Sequence, residues 1–497
     1  MRKRTGHWLR VALIVFGALC LAAMGHQALA GAERPRQRGQ TLFRESELTY
    51  EEKEVSFTNG DIVLSGTLLL PISEGPHPAV VFTQGSGPET RHRRRPLAET
   101  FAEQGIAAVV YDKRGTGGST GDWYAATFDD LVSDLLSAVA YARGLPQIDS
   151  SKVGIWGLSQ GGWVGPLAAS RSDDVAFVIS VSAAGMSPGD QELYRWDNVL
   201  KDLGYKGRSL EAAMKAVKLQ QDLDRLDLPG VDSRFLGLDF DHDPVPVLER
   251  VPQPVLAIWG EEDQVVPPWT SAGVFDSALA RGGNLDVSIV VFPDVGHSLE
   301  LNTAEVGPPV YPAGYLTTMH KWVLSRFESG ERARPVEQPV ALGLEDARPE
   351  HLPSKSLPWY GQAAPQLGTM LVLALSLASV SASWVWASAT RRARPEQESP
   401  FPYLIGALAA LIDLALLISF VAALVQFLMV DETRLGAYYG SPLVGASAVA
   451  SWITAVGLVV LAYRARRHRS GRILAIVGAV SALLFGAFLA YWRLLPF

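Results

Sequence analysis

The chain has 497 residues, of which 48% are hydrophobic and 19% charged, with a formal net charge of -7 at pH 7. This length accommodates two or more domains. The charges are scattered and lack the concentrated basic face of a nucleic-acid-binding protein, which argues against a nucleic-acid partner. The single cysteine, Cys20, lies in an N-terminal apolar run, so a mature chain would contain neither a disulfide nor a thiolate metal site.

The first thirty residues have the pattern of an export signal. A basic region ending at Arg10 precedes the short apolar run Val11–Met24, and Ala28 and Ala30 are small residues before Gly31. The apolar run is shorter than the roughly 20 residues that a spanning helix needs. We therefore predict a cleaved signal peptide over 1–30 and a linker over 31–49, with a retained anchor as the alternative.

Residues 50–329 alternate between strand and helix patterns. A turn at Asn59-Gly60-Asp61 indicates a hairpin at the start, and helices are predicted over Phe128–Ala142 and Thr270–Ala280. The predicted strands are Glu51–Thr58, Ile62–Leu70, Ala79–Phe82, Ala107–Tyr111, Val153–Trp156, Val175–Val181, Val255–Trp259 and Val287–Phe292. Such alternation predicts an α/β fold, a mostly parallel sheet with helices on both faces. The interval 187–250 has a helical pattern and no strong strand, which predicts a helical cap.

The stretch Gly157-Leu158-Ser159-Gln160-Gly161 follows the fifth of these strands directly, and a helical segment follows it. A strand–turn–helix around G-x-S-x-G is the context of a nucleophile elbow, in which a sharp turn exposes the serine at a helix N-terminus. We therefore predict Ser159 as a nucleophile. A small residue in an ordinary glycine-rich loop is the alternative for this motif taken alone.

A serine hydroxyl needs a base to take its proton, and the base needs an acid to orient it. His297 follows the last strand and is the predicted base. Asp263 follows the preceding strand and leads into an apolar turn, which favours it as the acid over Glu261 and Glu262. The chain order serine, aspartate, histidine is that of α/β-hydrolases.

A tetrahedral intermediate carries negative charge on oxygen, which backbone N–H groups can stabilise. One donor is predicted at Gln160, directly after the nucleophile. The other is predicted in the loop Thr83–Pro88, at Gln84 or Gly85. This chemistry requires no metal and no cofactor.

With these residues in place, the sequence resembles the α/β-hydrolase superfamily. More narrowly, it is similar to exported bacterial esterases of the EstD type, which are related to serine-aminopeptidase-like hydrolases. The resemblance covers about residues 50–328 and is carried by Gln84–Pro88, Tyr111–Ser119, Gly157–Gly162 and the segments around Asp263 and His297. It implies that Asp112-Lys113-Arg114-Gly115 is a structural turn near the active site. Gln84 departs from the pattern, since many relatives have histidine there.

Several functions fit these residues. We expect a serine hydrolase acting on a small-molecule ester or acyl substrate, most simply a carboxylesterase. A peptidase of the same fold would need a carboxylate for a substrate amine, which Glu192, Asp197 or Asp202 in the cap could supply, although surface charge also explains them. Acyl transfer is a third hypothesis and a noncatalytic membrane sensor a fourth, although the intact triad argues against the sensor. The sequence identifies no protein partner.

The last third of the chain has the pattern of a membrane domain. A proline-rich linker is predicted over 330–365, followed by a transmembrane domain over 366–497. The four predicted spans are 366–390, 402–430, 442–463 and 473–492.

The charge of the loops predicts the orientation of these spans. The loops after the first and third spans are rich in arginine, which places them in the cytoplasm. The hydrolase domain is then expected on the outer side of a bacterial cytoplasmic membrane, with the lipid bilayer as a partner. Asp413 lies within the second span; we interpret it as a hydrogen-bonded side chain facing the bundle, with a functional role as the alternative.

Overall fold

A computed structural model describes the central and C-terminal parts of the chain. The described residues are 49–224, 240–301, 308–327, 344, 347–353, 357–392, 413–424, 480–481 and 483–492. The predicted signal peptide and all but the last residue of the predicted linker 31–49 lie outside them.

In the described part of the chain, eight strands form a single sheet. They are β1 (Tyr50–Asn59), β2 (Ile62–Pro71), β3 (His77–Thr83), β4 (Ala107–Tyr111), β5 (Ile148–Leu158), β6 (Val178–Val181), β7 (Val255–Gly260) and β8 (Val287–Phe292). Their order across the sheet is β1-β2-β4-β3-β5-β6-β7-β8. The pairs β1–β2 and β2–β4 are antiparallel, and every other pair is parallel. The predicted mostly parallel sheet and its opening hairpin are therefore confirmed.

Helices lie between the parallel strands and after the last strand. They are α1 (Arg95–Glu103), α2 (Phe128–Arg143), α3 (Gln160–Ala169), α4 (Pro188–Asp202), α5 (Gly207–Asp224), α6 (Val245–Leu248), α7 (Pro268–Arg281), α8 (Tyr315–Ser325) and α9 (Ala363–Arg392). The start of α2 shows how the sequence sets a boundary. The side chain of Thr127 accepts from the N–H of Asp130, whose carboxylate accepts from the N–H of Thr127.

The core has two layers because neighbouring strand residues point to opposite faces of the sheet. Val81, Val109 and Ile155 belong to one buried cluster, whereas Val80 and Trp156 belong to the other. Strands buried on both faces read as continuous apolar runs, which is why these strands were recognisable in the sequence.

The interval between β6 and β7 contains α4 and α5, where the sequence predicts a cap. These two helices share an apolar cluster with residues from α9 and from the helical segments 413–424 and 483–491. Asp413 is buried there. Residues 225–239 of the predicted cap lie outside the described residues.

The predicted transmembrane domain is described only in part. Of its four spans, 442–463 lies wholly outside the described residues, and 402–430 and 473–492 lie partly outside them. Within the described part of the chain, no helix combines the length and the apolar character that a bilayer crossing requires.

Candidate active site

The predicted catalytic residues follow three strands of the parallel part of the sheet. Ser159 follows β5, Asp263 lies three residues beyond β7, and His297 lies five residues beyond β8. Neighbouring parallel strands present their carboxyl ends at the same edge, so the topology brings these three loops to one side of the sheet.

Ser159 occupies the turn between β5 and α3 with φ 56° and ψ -113°. Such a conformation costs a non-glycine residue on the order of 1–3 kcal/mol, so the surroundings must enforce it. The N–H of Ser159 donates to the carbonyl of Val181 at 2.9 Å, and the carbonyl of Ser159 accepts from the N–H of Gly162 at 2.8 Å. The turn is therefore held by backbone hydrogen bonds on both sides of the serine.

The glycines that flank Ser159 allow a very close approach of backbone segments. A Cβ on Gly157 would lie 2.2 Å from the carbonyl oxygen of Gly161. A Cβ on Gly161 would lie 2.9 Å from the carbonyl oxygens of both Thr83 and Gln84. The motif thus serves two contacts, one within the elbow and one between the elbow and the loop after β3.

His297 and Asp263 form a directly bonded pair. The His297 Nδ1 to Asp263 Oδ2 distance is 2.8 Å, and the Asp263 side chain is fully buried. Asp263 Oδ1 accepts from the N–H groups of Val265 and Val266, each at 2.8 Å. One carboxylate oxygen is thus occupied by its own loop, and the other orients the imidazole.

The competing carboxylates lie elsewhere. Glu261 forms an ion pair with Arg348 at 3.0 Å, and Glu262 is exposed. Of the three neighbouring acids, Asp263 is the one bonded to His297.

Ser182, which no sequence pattern singled out, connects the loop that contains His297 to the turn that contains Ser159. Its hydroxyl donates to the carbonyl of His297 at 2.8 Å, and the residue before it, Val181, accepts from the N–H of Ser159. Ser182 has φ 46°, another left-handed value for a residue with a side chain. The one sequence feature that points to Ser182 is its position directly after β6, at the same edge of the sheet as the predicted catalytic residues. Among the described contacts, none joins the Ser159 hydroxyl directly to His297, and such bonds often tighten only when substrate binds.

The three predicted oxyanion residues are placed differently from one another. The Gly85 N–H donates to the Glu89 carboxylate at 3.0 Å, so this group already has a strong acceptor. Gln160 is the first residue of α3, where a backbone N–H has no partner within the helix. No described residue accepts from the N–H of Gln84, whose side-chain amide donates to the carbonyl of Tyr111. Gln84 and Gln160 therefore remain as the candidate oxyanion donors.

The buried ammonium of Lys113 lies between these two segments. Its Nζ donates to the carbonyls of Gly85 at 2.8 Å and Gly87 at 3.2 Å, and to the side-chain oxygen of Gln160 at 2.5 Å. Burial lowers the pKa of Lys113 to about 8, partly offset by the negative charge of Glu89.

The cap helix α4 contacts three successive residues, 263–265, of the loop after β7, which we call the acid loop. Tyr194 donates to the carbonyl of Asp263, Gln191 to that of Val265 and Asn198 to that of Gln264.

Two of the three cap carboxylates considered for amine recognition have cationic partners on the same helix. Glu192 pairs with Arg195 at 2.8 Å, and Asp197 pairs with Lys201 at 2.5 Å. The third, Asp202, is exposed at the end of α4.

Known proteins match this region. The family model of the X-Pro dipeptidyl-peptidase (S15 family) matches residues 59–233, which span β2 to the cap. Esterase EstD of Thermotoga maritima is 25% identical over 276 residues, covering 53% of this chain and 63% of that protein. In this region the chain is therefore similar to hydrolases of the α/β-hydrolase superfamily.

Further known proteins match shorter segments or match at lower identity. The quorum-quenching protein AidA of Acinetobacter baumannii is 35% identical over 128 residues, covering 26% of this chain and 42% of AidA. A solved esterase of Pyrococcus furiosus has a TM-score of 0.40 and 20% identity, covering 59% of this chain and 96% of that one. The chain thus spans less than two thirds of the length of AidA and of EstD.

Proposed function

We propose that this chain is a serine hydrolase that cleaves carboxylic esters through an acyl-enzyme intermediate. The observation that carries the proposal is the combination of a strained serine at the β5–α3 turn with a His297 that is hydrogen-bonded to the buried Asp263 at the same edge of the sheet. The similarity to an esterase supports the choice of ester bonds.

In the proposed reaction, the Ser159 oxygen attacks the ester carbonyl while His297 Nε2 takes the hydroxyl proton. Asp263 holds His297 Nδ1 in its protonated form and stabilises the imidazolium. The imidazolium then gives its proton to the departing alcohol. Water enters, His297 removes its proton, and the acyl group leaves Ser159 as the free acid.

The negative charge on the tetrahedral oxygen would be stabilised by the backbone N–H groups of Gln84 and Gln160. Two such donors suffice for acyl transfer, and each contributes most when it is fixed before the reaction. The small separation between Gly161 and the loop after β3 supports this pairing of donors.

The direct test replaces the nucleophile. Purified full-length Ser159→Ala should lose at least about a thousandfold in kcat on short p-nitrophenyl esters, because the acyl-enzyme can no longer form. Ser277→Ala, an exposed serine on α7, is the matched control and should retain full activity. A fluorophosphonate label should map to Ser159 in the unmodified protein. Undiminished hydrolysis by the Ser159→Ala variant would refute the proposal.

A peptidase is the second candidate, favoured by the match to the X-Pro dipeptidyl-peptidase family. The pairing of Glu192 and Asp197 with cations of their own helix weighs against a free amine-binding carboxylate at those positions. Assays with aminoacyl and Xaa-Pro anilides beside the esters separate the two functions. Faster turnover of the anilides would make the peptidase the better description.

We further propose that the protein is anchored in a bacterial cytoplasmic membrane with its hydrolase domain outside. The export-signal pattern before Gly31 and the arginine-rich segments after 390 and 463 support this orientation. Protease added to spheroplasts should remove the hydrolase domain. Protection of that domain until the cells are lysed would overturn the orientation.

A further inference from the structure

Lys113 follows β4 and is only 3% exposed, although a lysine side chain strongly prefers water. Within the described residues, its ammonium forms no ion pair. All three of its N–H groups instead donate to uncharged oxygens, those of Gly85, Gly87 and Gln160. The side chain therefore uses its full donor capacity on the two segments that contain the proposed oxyanion donors.

The positions of these acceptors determine which chain segments the ammonium can connect. The carbonyls of Gly85 and Gly87 belong to the loop after β3, immediately beyond Gln84. The third acceptor is the side chain of Gln160, whose own backbone N–H is the other donor. A single cation thus connects the two donor segments through their oxygens and leaves the backbone N–H groups of Gln84 and Gln160 available to the reacting oxygen.

We propose that Lys113 is a positioning residue of the oxyanion hole, whose ammonium ties the Gln84–Gly87 loop to the first residue of α3. This assignment rests on the proposed serine-hydrolase function. The resemblance implies only a structural turn at Lys113. The proposed role differs, because it gives the lysine an effect on the transition state and not only on folding.

The loop has a second attachment, which does not involve α3. Glu89 accepts from the Gly85 N–H and pairs with Arg94 at 2.8 Å, so one side of the loop is held by a group outside the elbow. Lys113 acts on the carbonyls of the same loop and fixes its distance from Gln160. Without the ammonium, the loop would remain attached to Glu89 but would lose this link to α3.

Because the oxyanion exists only after attack by the serine, loss of its alignment lowers kcat and leaves KM largely unchanged. Removing one oxyanion donor outright costs about 10²–10³ in kcat. Misplacing a donor should cost less, and we expect roughly a 10- to 100-fold loss of kcat for Lys113→Met, which nearly keeps the length of the side chain but has no donor.

The test uses full-length Lys113→Met, Gln160→Met and the double variant, with the melting temperature of each measured. Gln160→Met removes the acceptor for Lys113 but keeps the backbone donor. We expect each single variant to lower kcat, to slow fluorophosphonate labelling of Ser159 in parallel, and to leave KM within about threefold. The double variant should lose much less than the product of the two single losses.

The outcomes separate this inference from the proposed function. If the unmodified protein is not labelled at Ser159, the serine-hydrolase proposal fails. If it is labelled, and a folded Lys113→Met protein reacts at the same rate with unchanged kcat, the inference fails alone. Should Lys113→Met not fold, Gln160→Met decides: unchanged kcat there also overturns the positioning role.

Discussion

The two halves of the candidate site are held by different kinds of interaction. The nucleophile half, Ser159 and its flanking glycines, is fixed by backbone hydrogen bonds and by close backbone contacts within a short strand–turn–helix segment. The acid–base half, Asp263 and His297, is held by side-chain hydrogen bonds between two loops that are 34 residues apart in the chain. Ser182 joins the halves through its bond to the carbonyl of His297.

This difference predicts how each half responds to substitution. A backbone-held turn is sensitive to added volume and insensitive to the loss of any single polar group. A side-chain-held pair is sensitive to the loss of one charge even when the shape is kept. Substitutions that alter only charge or only volume can therefore separate the two halves.

The largest effect is expected for Asp263→Asn, a change of charge without a change of shape. The amide oxygen can still accept from the N–H groups of Val265 and Val266, so the acid loop should keep its structure. The amide cannot stabilise an imidazolium or hold Nδ1 in its protonated form, so kcat should fall by about 10³–10⁴.

The matched control for this substitution is Glu262→Gln, which removes an exposed charge one residue away. Ester hydrolysis and melting temperature should be measured on both proteins. If Asp263→Asn keeps kcat within about threefold of the unmodified protein, Asp263 is not the orienting acid.

Gly161→Ala tests the nucleophile half by adding volume without polarity. The new methyl group would lie 2.9 Å from two carbonyl oxygens of the β3 loop, so the loop or the elbow must move. We expect a loss of about 1–3 kcal/mol in the free energy of unfolding, with a lower kcat because the two oxyanion segments separate.

Gly273→Ala in α7 is the control, because nothing lies within 4 Å of a Cβ at that position. Alanine has the higher helix propensity, so this variant should gain about 0.5–1 kcal/mol. Chemical denaturation of both variants gives the comparison. Equal changes in the free energy of unfolding for the two variants would show that the close contacts at Gly161 leave room for a methyl group.

The strand–turn–helix structure around Ser159 was predictable from the sequence because its signals are local. The apolar strand, the spacing of Gly157 and Gly161 around Ser159, and the following helix occur within one segment of chain. The strand positions were equally predictable from the sequence, since strands buried on both faces appear in it as short apolar runs. The predicted strand starting at Val175 begins at Val178 in the structure, where pairing with β5 starts.

The remaining features depend on contacts that no local pattern encodes. Nothing around Gly85 indicates that its N–H bonds to Glu89, because that depends on the path of the loop after β3. The sequence indicated only a structural turn at Lys113, because the acceptors of its ammonium lie in two distant segments of the chain. Ser182 was missed because a lone serine after a strand is common. These are properties of the sheet edge, which exists only in the folded chain.

Alkaline pH tests the lysine that supports the nucleophile half. Burial lowers the pKa of Lys113 to about 8, and the carboxylate of Glu89 opposes this shift. The neighbouring charged groups are paired, Arg94 with Glu89 and Arg91 with Asp112. If the ammonium form is required, activity should fall as the pH rises above about 8 and should level off at no more than the roughly 10- to 100-fold loss expected for Lys113→Met.

The stability of the protein should change in the opposite direction. Between about pH 8 and 10.5 the folded protein has released the Lys113 proton while the unfolded chain still holds it. The unfolded state then binds more protons, so stability rises with pH. Denaturation of the unmodified protein and Lys113→Met at about pH 7.5 and about pH 9.5 isolates this contribution, and we expect the unmodified protein to gain relative to the variant. A constant difference would exclude a shifted lysine.

The smallest effect concerns the segment after the hydrolase domain, which the sequence predicted as a linker. The Glu350 carboxylate accepts from the N–H groups of Trp269 at 3.0 Å and Thr270 at 2.7 Å, at the start of α7 and only a few residues beyond Asp263. A carboxylate there satisfies unpaired N–H groups and interacts favourably with the helix dipole. Glu350→Gln should therefore cost about 0.5–1 kcal/mol of stability.

The same variant tests whether the acid–base half depends on residues beyond the hydrolase domain. Because Asp263 is already held by its own loop and by Tyr194 of the cap, Glu350→Gln should leave kcat unchanged. Glu99→Gln, which removes a surface ion pair on α1, is the control for loss of a carboxylate remote from the acid loop. A roughly tenfold loss of kcat in Glu350→Gln alone would mean that the acid loop needs support from beyond residue 329. The acid–base half would then include the proline-rich segment.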